Sequence, residues 1–191
     1  MPRNRRSIPR ADREWAIVAK ARDLFVAKGY RGTSVADVAR AAGVAGNAVH
    51  WYFPTKDDLF AAVLDSLYAD LERAAAAVDG PPKQRLVQVW DSNQRFRGLH
   101  RDAYERMADS ESVRRVVTKA QSWWNQLLLA AVRYELPDGA DVAPVADFAQ
   151  IVIEGMCVSD RPVDRSVEEF VDLSVEALVA LTQRRQAAIV H

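Results

Sequence analysis

The side chains best able to do chemistry are few, and their spacing argues against catalysis. His50, His100 and His191 do not have the spacing of a metal site, and Cys157 is the sole cysteine, so it has no thiol partner. Adjacent carboxylates such as Glu168 and Glu169 follow Ser166 at the spacing of a helix-capping box, which suits a helix start better than acid–base work. The chain contains no phosphate-cradling glycine loop and no nucleophile elbow. We therefore expect no enzyme, no metal and no cofactor.

What remains is recognition chemistry, and charge places it. The chain is neutral overall, yet up to Phe53 it holds ten Lys/Arg against four Asp/Glu, net +6, which leaves −6 on the remainder. A basic end on an acidic body suits an anionic partner at that end; a solvated tail is the alternative. Arg3, Arg5, Arg6, Arg10 and Arg13 fit phosphate or minor-groove contacts, or that tail. Lys56 is more informative. It opens a helix, where the dipole disfavours a cation by roughly 0.3–1 kcal/mol. Asp57 and Asp58 offset this locally. A phosphate bound beside the exposed amides would account for the cation.

These residues need helices to hold them, and apolar residues recur at helical spacing almost throughout, with no alternating strand pattern. The fold class is all-α. A first helix, residues 11–28, carries Ile17, Ala21, Leu24 and Phe25 on one stripe and ends at Gly29. Ser34 to Asp37 reads as a capping box for a second helix that Gly43 ends. A short third helix spans residues 45–52, and a long fourth runs over 55–78. Asp79-Gly80-Pro81-Pro82 then breaks the chain. Further helices are expected over 83–97, 99–108, 110–134, 142–158 and 166–186, with a polar loop over 159–165. The division is residues 1–54, then a connecting helix 55–80, then 81–191.

The second and third helices with Gly43 between them form a helix-turn-helix. Small Ala39 and Ala42 permit a close crossing, and Val44 and Val49 plug the core. Ala45, Gly46, Asn47, Ala48, His50, Trp51 and Tyr52 are left as the outer face of the third helix. It is small at its start and rich in donors and aromatics further on, a shape that can enter a major groove. Asn47 suits adenine readout by paired hydrogen bonds, or a plain helix-start role.

The run Gly29-Tyr30-Arg31-Gly32-Thr33-Ser34-Val35-Ala36-Asp37-Val38-Ala39, with Ala42-Gly43-Val44, Val49 to Lys56, Leu59 and the preceding Leu24-Phe25, resembles the TetR family of bacterial transcription regulators. The resemblance covers residues 11–70. It implies a homodimer on double-stranded operator DNA, a three-helix DNA-binding domain, and a fourth helix leading to a domain for a small-molecule effector. It implies phosphate contacts from Thr33, Ser34, Tyr52 and Lys56, and base contacts around Asn47, His50 and Trp51. This chain departs from the family pattern at Ala45, where serine is usual, at Asn47, where glycine is common, and at His50, where tyrosine is common. Those departures bear on the operator contacts.

The second half is aromatic-rich. Trp90, Phe96, Tyr104, Met107 and Trp123, with Asn93 or Arg97 fixing a polar group, suit an apolar ligand pocket; ordinary core packing is the alternative. Trp124 lies on the main seam of its helix, so its neighbour Trp123 faces elsewhere. The last helix is apolar over a wide arc, through Phe170, Leu173, Ala177, Leu178 and Leu181, and such a helix must be buried on two sides. With Phe148 and Val152 on the helix before it, that arc predicts a dimer interface built as a four-helix bundle. No stretch approaches the roughly 20 apolar residues of a membrane span, and one cysteine suits a reducing compartment, so a cytoplasmic location is expected. The expected function is a ligand-responsive repressor released by a small hydrophobic molecule. The rival is a helical small-molecule-binding protein without DNA binding.

Overall fold

The computed structural model describes residues 10–159 and 164–189; Arg3, Arg5 and Arg6 of the basic arm lie outside them, as do residues 160–163 of the expected polar loop. The described elements are all helical: α1 Arg10–Lys28, α2 Val35–Ala42, α3 Gly46–Tyr52, α4 Lys56–Ala76, α5 Pro82–Asn93, α6 Arg97–Met107, α7 Glu111–Tyr134, α8 Ala143–Val158 and α9 Val167–Ile189.

The apolar stripes explain the packing. Ile17, Ala21 and Phe25 of α1 are fully buried, and Phe25 meets Phe60 of α4 edge-on at 5.0 Å. The first turns of α4 thus close the three-helix unit, while Leu64, Tyr68 and Leu71 carry the same core onward to α5 and α7. Helix α7 is the hub, packed against α4, α5, α6, α8 and α9. Its buried seam includes Val113, Val117, Ala120 and Trp124.

One boundary differs from expectation. Helix α5 does not run to Arg97; it stops at Asn93, and a 3-10 turn over Gln94–Phe96 leads into α6. No Gly or Pro marks that break. The cause is tertiary. The tightened turn drives Phe96 into the interior, with the Arg22 guanidinium 5.4 Å from its ring centroid.

Asn93 is likewise a correction. Its side chain is buried and accepts from His100 Nε2 at 2.7 Å, while His100 Nδ1 accepts from Tyr68 Oη at 3.0 Å. The amide oxygen can only accept, so Nε2 carries the proton and the imidazole is neutral. Asn93 therefore ties α5 to α6, and its amide is spent within the core. Burial pushes His100 down from 6.5 to about 4. The unfolded chain then binds the extra proton first, so the stability penalty is absent above pH 6.5 and grows as pH falls towards 4. The loss reaches about 2 kcal/mol by about pH 5. Urea unfolding at about pH 7 and about pH 5 is expected to show this loss in the parent and a much smaller one in His100→Gln. An equal loss in both would assign the pH dependence to other groups.

Candidate nucleic-acid interface and apolar cavity

The helix-turn-helix is built from capping chemistry. Ser34 Oγ accepts from the Asp37 amide at 3.1 Å, and the Asp37 carboxylate accepts from the Ser34 amide at 3.1 Å and from its hydroxyl at 2.6 Å. The Ser34 hydrogen bonds hold the half-buried Asp37 carboxyl below its usual range. Gly43 ends α2 at φ 66°, a left-handed conformation that a side chain disfavours, and the Val44 amide then reaches back to Ala39 O at 3.0 Å. Val49 is fully buried and pins α3 against the core.

That anchorage leaves Ala45, Gly46, Asn47, His50 and Trp51 exposed, with Tyr52 half-buried. Ala45 occupies the N-cap of α3 and makes no side-chain cap bond, so the first amides of this helix have no internal side-chain partner there. His50 Nδ1 lies 3.2 Å from Pro54 O, which orients the ring towards the end of α3. Trp51 is 62% exposed and stands edge-on to Tyr52. Arg10, at the start of α1, stacks over Trp51 at 4.4 Å from the ring centroid. The start of α1 and the outer face of α3 are therefore neighbours.

Two expected phosphate contacts look different in three dimensions. Thr33 is only 2% exposed, and its hydroxyl donates to Leu24 O and Gly29 O. It fastens the turn before α2 and has no surface to offer a phosphate. Lys56 is half-buried, with Nζ 4.0 Å from the centroid of the Tyr30 ring. This cation–π contact gives the cation a partner independent of any phosphate. Burial lowers the Lys56 pKa, and the Asp57 carboxylate beside it works the other way. A second capping box, Thr55 with Asp58, starts α4 and keeps Asp58 acidic.

Tyr30 also joins a bridge between the helix-turn-helix and α6. Its hydroxyl donates to Asp57, whose other oxygen accepts from Arg106 Nη2 at 2.7 Å. Its backbone amide donates to Asp102 at 2.6 Å, and Arg31 reaches Glu105 at 3.2 Å. Burial and the Asp57 hydrogen bond push Tyr30 up to about 12. Burial works to raise Asp57, yet hydrogen bonds from Arg106 and Tyr30 outweigh it and hold the carboxyl low. Asp102, Glu105 and Arg106 of α6 thus grip the start of α4 and the turn after α1.

A cavity of about 420 Å³ lies where the α5–α6 junction, α8 and the start of α9 meet. Trp90, Ile151, Val152, Met156, Val167 and Phe170 supply its apolar wall, and Gln94, Arg97, Ser159, Arg165 and Ser166 its polar groups. Of the residues expected to line a pocket, Trp90 and Arg97 do so. Phe96, Tyr104, Met107 and Trp123 do not. Phe96 is buried beneath Arg22; Tyr104 Oη accepts from Gln121 at 2.8 Å; Met107 packs on the core; and Trp123 lies edge-on to Trp124 at 5.3 Å.

On the outside of α8 and α9 an apolar face stays open. Phe148, Ile151, Leu173 and Leu181 are 48%, 65%, 47% and 36% exposed, and Ala177 is exposed among them. Val152 and Phe170 are half-buried in the cavity wall. Leu178 is a correction: at 1% exposure it belongs to the chain's own core and has no surface to offer a partner.

Residues 17–63 match the family model described as bacterial regulatory proteins, tetR family. That match covers the helix-turn-helix and the start of α4. A curated relative, the HTH-type transcriptional regulator TtgR of Pseudomonas putida, is 38% identical over 83 residues, 39% of this chain and 40% of that protein. The chain thus spans well under half the length of that relative. The fold extends further. A transcriptional regulator from Saccharomonospora viridis, solved with choline, superposes with a TM-score of 0.63 at 17% identity, covering 91% of this chain and 97% of that one. The regulator FadR of Bacillus subtilis, solved with stearoyl-CoA, superposes at 0.56 and 17% identity, over 86% of this chain and 97% of that one.

Three features of these sites were not legible in the sequence. Arg165 and Ile151 line the cavity although one sits in a polar loop and the other on an apolar helix. The Tyr30–Asp57–Arg106 bridge joins residues 27 and 49 positions apart, which no local pattern marks. The Arg10–Trp51 stack links the start of α1 to α3 in the same way.

Proposed function

We propose that this chain is a cytoplasmic, homodimeric, DNA-binding transcription repressor that a small molecule releases from its operator. The observation that carries the DNA reading is the outer face of α3. Ala45, Gly46, Asn47, His50 and Trp51 are exposed on a helix whose one buried anchor, Val49, fixes its orientation, and the flanking segment carries net +6. Asn47 suits base readout, while Ser34, Tyr52 and Lys56 border the same helix-turn-helix and suit the phosphates. Among the described residues no group of three His, Cys, Asp or Glu is placed to hold a metal, and no helix is long and apolar enough to cross a membrane.

The effector site of this reading is the 420 Å³ cavity, a size that suits a small organic ligand. Two fold neighbours were solved with organic ligands of different charge, choline and stearoyl-CoA, so the fold alone does not choose the effector. Release works through α6 in this account. Arg97 lies in the cavity wall at the start of α6, and Asp102 and Arg106 on the same helix grip the turn after α1 and the start of α4. A ligand that shifts α6 re-aims α3, provided that it binds the released conformation more tightly than the DNA-binding one.

The test is fluorescence anisotropy on DNA flanking the chain's own gene across roughly 50–200 mM salt. Binding is expected to weaken steeply, with a slope of several units in log–log form, because several phosphates are neutralised. Absence of binding at the lowest salt would refute the reading.

A further inference from the structure

The cavity carries a charge that its apolar wall does not explain. Arg97 and Arg165 both line it, and neither makes an ion pair with an Asp or Glu among the described residues. The carboxylate placed on the same stretch of α8, Glu154, is already committed: it accepts from Gln121 at 3.0 Å and from Gln150 at 2.7 Å and is not in the cavity wall. Ser166 is committed too, through its capping bonds with Glu169 at 2.9 and 3.1 Å. Two arginines therefore line a mostly apolar chamber from separate chain segments, one at the α5–α6 junction and one before α9.

We infer that the cavity takes an organic carboxylate with an apolar aryl or alkyl body, the carboxylate lying between Arg97 and Arg165 and the body against Trp90, Met156 and Phe170. This inference rests on the reading of the cavity as the effector site and names the ligand's class. The physical reasons are two. Guanidinium forks match carboxylate geometry, and charge-assisted hydrogen bonds are the strong ones. A cationic amphiphile would instead meet two like charges, against which cation–π contact with Trp90 offers about 0.5–2 kcal/mol. The carboxylate would also link Arg165 to the first residue of α6, the helix that grips the DNA-binding unit through Asp102 and Arg106.

Three probes of nearly equal alkyl length separate head group from body: decanoate, decanol and decyltrimethylammonium, titrated calorimetrically into the protein. Decanoate is expected to bind at least roughly tenfold more tightly than decanol, with the ammonium weakest. Arg97→Gln and Arg165→Gln should each weaken decanoate by about tenfold and leave decanol unchanged, which also shows that the cavity is intact. Equal binding of decanoate and decanol, tighter binding of the ammonium, no binding of any probe, or decanoate binding indifferent to both substitutions would overturn the assignment. A parallel anisotropy measurement keeps the two claims apart. Decanoate that binds through both arginines without moving DNA affinity upholds the carboxylate site and refutes its role as effector site.

Discussion

Glutamate at both Phe148 and Leu173 is expected to give a folded monomer that has lost operator binding. Both side chains are about half exposed in the protomer, and with Ile151 and Leu181 they leave an apolar face on two neighbouring helices. In a two-fold interface each substitution occurs twice, so four carboxylates would enter a dry seam. An uncompensated buried charge destabilises by about 3–5 kcal/mol, so even two poorly accommodated carboxylates raise the dimer dissociation constant by about four orders of magnitude or more. The protomer itself is spared, because its own core uses the other face of α9, through Val171, Val175 and Leu178. Sedimentation at micromolar concentration checks assembly, and thermal unfolding checks the fold. Charge at Leu178 would unfold the protomer and say nothing about the dimer. A parent chain that sediments as a monomer, or a double variant that remains a dimer, would contradict the interface.

Lys56→Glu carries the second large effect. A phosphate contact at Lys56 appears twice in a dimer, and reversal of the charge converts each attraction into repulsion. With charged hydrogen bonds contributing about 1.5–3 kcal/mol each, the loss is roughly 10²–10⁴-fold in DNA affinity. It should fall equally on specific and non-specific DNA, and the salt slope should drop by about 2, near 0.9 for each phosphate. Asn47→Ala should behave differently, relaxing sequence preference and leaving the salt slope alone. The Tyr30 contact supplies the necessary control. If Lys56 serves only that ring, Lys56→Glu lowers thermal stability and leaves the salt slope unchanged.

The contrast between Lys56 and Thr33 shows where reading from sequence succeeds and where it stops. Both have the right residue type for a phosphate contact. Only the tertiary fold reveals that the Thr33 hydroxyl is spent on Leu24 and Gly29 carbonyls and that Lys56 covers an aromatic ring. Local chemistry was readable: the Ser34 box and the turn at Gly43 depend on residues within a few positions, and the structure has both. The α5–α6 boundary was not, because what breaks the helix is Phe96 seeking the core and Asn93 bonding His100, with no breaker in the chain. The cavity was least readable. Aromatic content in α5 to α7 does not distinguish a wall from packing: Trp124 is interlocked between Trp90 and Trp123, at 5.4 and 5.3 Å, while the open space lies on the α8–α9 side. The wide apolar arc of α9 divides in the structure into a buried face with Leu178 and an exposed one with Leu173, a split that the sequence pattern does not make.

Whether the outer face of α3 reads DNA is answered by selecting bound fragments from the source genome with the protein. The account predicts enrichment of one short sequence with two-fold symmetry, its half-sites centred about 34–36 Å, or roughly 10–10.5 base pairs, apart or at a multiple of that spacing. It further predicts that Asn47→Ala weakens the preference within each half-site. Recovery of fragments with no shared sequence at any salt concentration would contradict it.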